Sequence, residues 1–74
     1  MKSNITSVSQ IKKGDILEFY FKDDGALQTI DCVISIENET LFVYCFLYPD
    51  KKWRFSSYRL DFYTHNHMVF LANR

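Results

Sequence analysis

Glycine and proline are scarce in this chain, at two and one among 74 residues, and cysteine is held to two. Few breakers fit a folded globular domain rather than a low-complexity segment. Two cysteines are too few for a disulfide scaffold. An excess of either charge is missing as well, because nine basic residues balance nine acidic ones. Domains built to grip duplex DNA carry a basic surplus, so that partner is not the default. No apolar run is long enough to span a membrane. The opening Met1-Lys2-Ser3-Asn4-Ile5-Thr6 has no apolar signal-peptide core. The expectation is one cytoplasmic domain without a membrane partner. No Ser or Cys nucleophile motif, Gly-rich phosphate loop or Walker pattern occurs. The acidic residues Asp23, Asp24 and Asp50 read as turn residues, so no enzyme and no cofactor is expected.

What is abundant is aromatic side chain, at 18% of residues, enough to supply a core, a contact face or both. Its densest stretch is Leu41-Phe42-Val43-Tyr44-Cys45-Phe46-Leu47-Tyr48, free of charge, Gly and Pro. In a strand, Leu41, Val43, Cys45 and Leu47 face one side and Phe42, Tyr44, Phe46 and Tyr48 the other. A strand apolar on both sides needs cover on both. A domain of this size buries only about 60% of its unfolded surface. One core covers one side, and the second side is left for a helix, a subunit or a ligand.

The pattern along the chain predicts an all-β domain over 14–74, preceded by a segment 1–13 that forms a short helix or stays flexible. Ile5, Val8 and Ile11 are three apart, with Thr6 or Ser7 as a cap. Strands are expected at 16–22, 26–37, 40–48, from 52 onward, and 68–72. The turns are expected at Asp23-Asp24-Gly25, Asn38-Glu39, Pro49-Asp50-Lys51 and Thr64-His65-Asn66-His67. Two-residue loops at 24–25 and 38–39 and a three-residue loop at 49–51 pair Leu17 with Cys32, Ile34 with Val43, Cys32 with Cys45, and Leu47 with Trp53. That places Leu17, Phe19, Ile30, Ile34, Val43, Leu47, Trp53 and Phe55 in one core. One pair is discordant, since Glu18 falls opposite Asp31. The expected architecture is a small five-stranded antiparallel SH3-like barrel or rolled sheet, closed by the last strand against the first.

Phe21-Lys22-Asp23-Asp24-Gly25 followed by Cys32, then Asp50-Lys51-Lys52-Trp53-Arg54-Phe55, resembles the small Sm-like, SH3-type barrel domains related to the WYL group. Those domains carry a Phe-x-Lys-x-Asp-Gly hairpin and a Lys-x-Trp-Arg-x-Phe strand. The tail, Tyr58-Arg59-Leu60 and then Met68-Val69-Phe70-Leu71-Ala72, is similar to the end of a WYL domain. It departs at Val69-Phe70, where the family has Trp-Tyr, and at Ser57, where a Pro is usual. The resemblance implies an SH3-type barrel used in regulation or ligand sensing, often near nucleic acids.

Cys32, Cys45, His65 and His67 are the soft metal ligands available. The expected registers make the two cysteines neighbours inside an aliphatic face. They read there as packed thiols, with zinc and a cross-strand disulfide as the alternatives and no metal site assigned. His65 and His67 read as solvated turn residues. The outer face gives the candidate binding site: Tyr44, Phe46, Arg54 and Tyr58, with Tyr20 and Lys52 at its margins, and Arg54 over the Phe46 ring. Aromatics with an arginine are the residues of interface hot spots, and they also stack on unpaired bases. The leading expectation is a small regulatory or phage-type inhibitor that docks on a larger protein, or a chain that self-associates. The alternatives are a WYL-like ligand sensor or single-stranded nucleic-acid binder, and a face simply covered by the N-terminal segment.

Overall fold

The computed structural model describes residues 4–48 and 50–72; of the expected turns, only the Pro49 position lies outside them. Five strands form a single antiparallel sheet: β1 (Ile16–Phe21), β2 (Leu27–Glu37), β3 (Thr40–Leu47), β4 (Lys52–Arg59) and β5 (His67–Leu71). The order across the sheet is β4-β3-β2-β1-β5, so the last strand pairs with the first, as the sequence predicts. β4 and β5 are the two edges and the sheet is not closed. It is nevertheless strongly rolled. The rings of Phe19 on β1 and Tyr58 on β4 meet edge-on with centroids 5.7 Å apart. In a flat sheet, strands three places apart would be separated by about 14 Å.

The chain before β1 lies against the concave side. A single 3₁₀ turn, Val8–Gln10, follows Ser7, whose hydroxyl caps it while Gln10 reaches back to the Ser7 N–H at 3.0 Å. Ile5 and Ile11 enter the core with Leu17, Phe19, Val33, Leu41, Val43, Cys45, Leu60, Val69 and Leu71. The Ile5 N–H donates to the Val69 carbonyl at 2.6 Å, and Asn4 bridges Phe70, so this segment runs along the outer edge of β5. It therefore does not cover the opposite, convex face.

Turn chemistry decides which residues face in. Asn38 and Glu39 both have positive φ, at 50° and 65°, and form the expected two-residue hairpin loop. Ile36 accordingly faces Leu41. The ladder then breaks between Val33 and Ser35, with Ile34 as the extra residue of a bulge, and Val33 faces Val43. The loop before β2 is four residues, not two: Phe21 N–H donates to Ala26, and Gly25 at φ 72° donates back to Phe21. A second shift beside Gln28 then sets Leu17 opposite Asp31 and Phe19 opposite Thr29. Between β3 and β4 the loop is one residue longer than expected, and Leu47 faces Lys52.

The outcome corrects half of the expected core. Leu17, Phe19 and Val43 are buried and Leu47 packs against them, as the alternation predicts. Ile30, Ile34, Trp53 and Phe55 are not in that core. Ile34 is the bulge residue, at 41% exposed, and the other three lie on the convex side. In their place the concave side receives Thr29, Asp31 and Val33 from β2, and Arg54, Ser56 and Tyr58 from β4. The discordant Glu18–Asp31 pair does not exist, because Glu18 faces Ile30. No helix among the described residues is long and apolar enough to cross a membrane.

Candidate functional site

Two regions of the sheet depart from what a small fold requires. The first is the convex face of β3 and β4. Adjacent strands bring Tyr44 opposite Phe55 and Phe46 opposite Trp53. The Tyr44 and Trp53 rings stack at 5.0 Å with planes 20° apart. Phe55 lies 4.8 Å from Tyr44, and Phe46 lies 5.1 Å from Trp53 and 5.4 Å from Tyr48. Phe55 is 76% exposed and Trp53 47%. The ladder borders the free edge of β4, a strand exposed along nearly its whole length.

Of the residues expected at this site, Tyr44 and Phe46 are here. Arg54, Tyr58 and Lys52 are not, because the longer loop turns them to the concave side. Arg54 has no place over Phe46 and instead pairs with Asp50 at 3.2 Å. Tyr20 is on the convex face but at the far end of the sheet, against Phe70 at 5.6 Å, with its hydroxyl on Glu18 at 3.2 Å. Trp53 and Phe55 take the vacated positions in the ladder.

The second region is concave. Asp31 is 2% exposed, an unusual place for a carboxyl group. The Tyr58 hydroxyl donates to its Oδ2, while Oδ1 is buried with no hydrogen-bond partner. Removal from water pushes the Asp31 carboxyl above its ordinary range, and the bond from Tyr58 offsets part of that rise. Burial, and then the neighbouring Asp31, push the Cys45 thiol up to about 12, so it is a packed thiol and not a nucleophile at neutral pH. Tyr58 is raised by the same two causes and stays a hydrogen-bond donor. These groups line a cleft of about 220 Å³ between β4 and the wall formed by Phe19 and Tyr63, with Gln28, Ser56 and Arg54 toward its mouth. Phe19, Tyr58 and Tyr63 meet edge-on at 5.0–5.7 Å.

The cysteines are not neighbours. Cys32 faces Tyr44 and Cys45 faces Asp31, so their side chains project from opposite sides of the sheet. His67 is not a solvated turn residue either. It opens β5, is buried among Phe19, Phe21 and Tyr63, and holds Nδ1 at 3.2 Å from the Tyr63 carbonyl. Among the described residues no group of three or more His, Cys, Asp or Glu side chains is placed to hold a metal ion.

The buried carboxyl went unpredicted because Ile30, Cys32, Ile34 and Ile36 form the better apolar stripe on β2, yet most of that stripe faces outward. Its one signal was the like-charge pair that the expected register created. A strand that turns its polar side inward breaks local consistency, which proteins do chiefly where function or strain requires it. Comparison with protein-family models, curated proteins and solved structures finds no match to this chain.

Proposed function

We propose that this chain is a non-enzymatic binding module that docks on a protein partner through the aromatic convex face of β3 and β4. The observation that carries the reading is the ladder of Tyr44, Trp53 and Phe55, exposed beside the β4 edge that pairs with no strand among the described residues, with half-buried Phe46 packed against Trp53. A contiguous apolar patch of this kind marks an interaction surface, and an open edge offers main-chain hydrogen bonds to an extended partner segment. The concave side already takes the N-terminal segment, so Ile5 and Ile11 are not available to cover the ladder.

A protein partner is favoured over nucleic acid by the state of the basic side chains. Arg54 is paired with Asp50, and Arg59 with Glu39 and Asp61 at 3.1 and 3.5 Å. The chain as a whole carries no net charge to draw it to a phosphate backbone. The small regulatory or inhibitor role and the cytoplasmic setting belong to the same proposal, and kinship with the WYL group stands as a proposal on its short motifs.

The test pairs wild type with a Trp53→Ala, Phe55→Ala double variant. Both side chains are outside the core, so the double variant should fold and melt within about 1 kcal/mol of wild type. Immobilised wild type should retain a defined protein from native host lysate, or form a dimer by light scattering, and the double variant should lose it. Retention of the same partner at unchanged affinity by the double variant refutes the reading.

A further inference from the structure

We propose that the concave cleft is a binding site for an alkylammonium group, with the free Oδ1 of Asp31 as its counter-ion. This site is on the opposite side of the sheet from the aromatic ladder, and it stands or falls independently of that surface.

The carboxyl is almost fully removed from solvent, and only one of its two oxygens is satisfied. An unpaired buried oxygen of this kind is costly and asks for a donor. Among the described residues no donor reaches it with normal hydrogen-bond geometry, although the Thr29 hydroxyl and the Cys45 thiol stand close to the carboxyl. The Tyr58 hydroxyl is committed to Oδ2. The Thr29 hydroxyl and Cys45 thiol favour the charged form of Asp31 without making a hydrogen bond to Oδ1. Arg54, the cation among the lining residues, is tied to Asp50 at the mouth. A donor entering the cleft would satisfy Oδ1, and a positively charged N–H makes the stronger bond to a carboxylate.

The walls fit the same chemistry. Phe19, Tyr58 and Tyr63 line the cleft, and aromatic rings beside a carboxylate are the set that holds an organic ammonium ion. Size narrows the class. At about 220 Å³ the cleft is smaller than the roughly 300–1,000 Å³ of sites for drug-sized molecules, so it suits a short chain bearing one ammonium head. An anion is disfavoured by Asp31 itself. The head group has two sources, a free small amine or a lysine side chain on an extended partner segment, since the cleft is flanked by β4 at the open edge of the sheet.

The experiment is an amide-resolved NMR titration of the full chain with n-butylammonium chloride and with Nα-acetyl-lysine N-methylamide. n-Butanol and potassium chloride are the controls. Saturable shifts confined to Thr29, Asp31, Cys45, Ser56 and Tyr58 are expected, with a roughly millimolar dissociation constant for a ligand of so few atoms. Butylammonium alone assigns a free amine; the lysine derivative, alone or bound more tightly, assigns a side chain. Asp31→Asn should weaken binding at least about tenfold, as loss of a charge-assisted bond does. Ser56→Phe, an exposed position on β4 that fills the mouth, should abolish binding while the spectrum stays folded, and it carries the test if the Asp31 variant fails to fold. The proposal is overturned by the absence of saturable shifts with either amine, by equal shifts from butanol, or by undiminished binding in a folded Asp31→Asn or Ser56→Phe variant.

Discussion

The Tyr58 hydroxyl donates to Asp31 across the intervening strand β3, so one hydrogen bond ties the free edge of the sheet to its middle strand. This bond joins the core and ring contacts of the concave side, where the sheet is not closed by strand pairing.

Asp31 makes the stability of this fold depend on pH with a definite sign. Burial raises its carboxyl above the ordinary 3.8, so the folded state favours the protonated form. The contribution is fully present below that ordinary value and is lost as pH rises through the folded value. Asp31→Asn removes the titration. The variant should therefore gain on wild type as pH rises from about 4 to about 7, read as the difference between their denaturation midpoints. A difference that is flat, or that shrinks over that range, contradicts the buried carboxyl.

Ile34 tests the bulge. Its apolar neighbours in sequence mark it as core, yet it is the extra residue of the ladder and faces solvent. Ile34→Thr should change stability by no more than about 0.5 kcal/mol. Val43→Ala, in the true core, should cost about 2 kcal/mol or more. Equal losses in denaturant titrations would mean that β2 faces the other way.

Lys51 and Glu39 occupy left-handed backbone, at φ 52° and 65°, where a side chain costs about 1 kcal/mol or more. Lys51→Gly should raise the unfolding free energy by about 1 kcal/mol. Glu39→Gly should do so by less, since it also gives up an exposed ion pair with Arg59. A loss of stability in Lys51→Gly would place the turn in another conformation.

The two thiols should separate by reactivity. Cys45 is buried with its pKa near 12, and Cys32 is only half-buried on the other face. Iodoacetamide at neutral pH should modify Cys32 first in the native protein and both in denaturant, read by peptide mass. Mild oxidation should form no disulfide within one chain. Preferential modification of Cys45 would contradict the arrangement.

The alternation of β1 and β3 was legible because both strands keep one face for large apolar side chains: Leu17 and Phe19, then Leu41, Val43 and Cys45. The turn at Asn38-Glu39 was legible from its length. β2 was misread because the loop and shift beside Gln28 on one side and the bulge at Ile34 on the other displace it by one residue against both neighbours. The two displacements cancel between β1 and β3. Agreement among the expected hairpins therefore could not reveal that the strand between them was reversed. β4 turned over for a separate reason, the extra residue in the loop before it. With it went Arg54 and Tyr58, half of the expected contact set, while Trp53 and Phe55 came to the convex face. Loop lengths differing by one residue leave almost no trace in composition, yet they reverse every side chain that follows.

The two borders of the sheet are unequal. Asn4 and Ile5 lie along β5, while β4 has no strand on its outer side among the described residues. For association by strand addition, the β4 edge is thus the more open of the two rows. Growth from that edge alone terminates at a closed pair, or at one partner segment per chain, and does not propagate into a filament. Stoichiometry would follow from the asymmetry of the borders, with the N-terminal segment acting as a chain terminator.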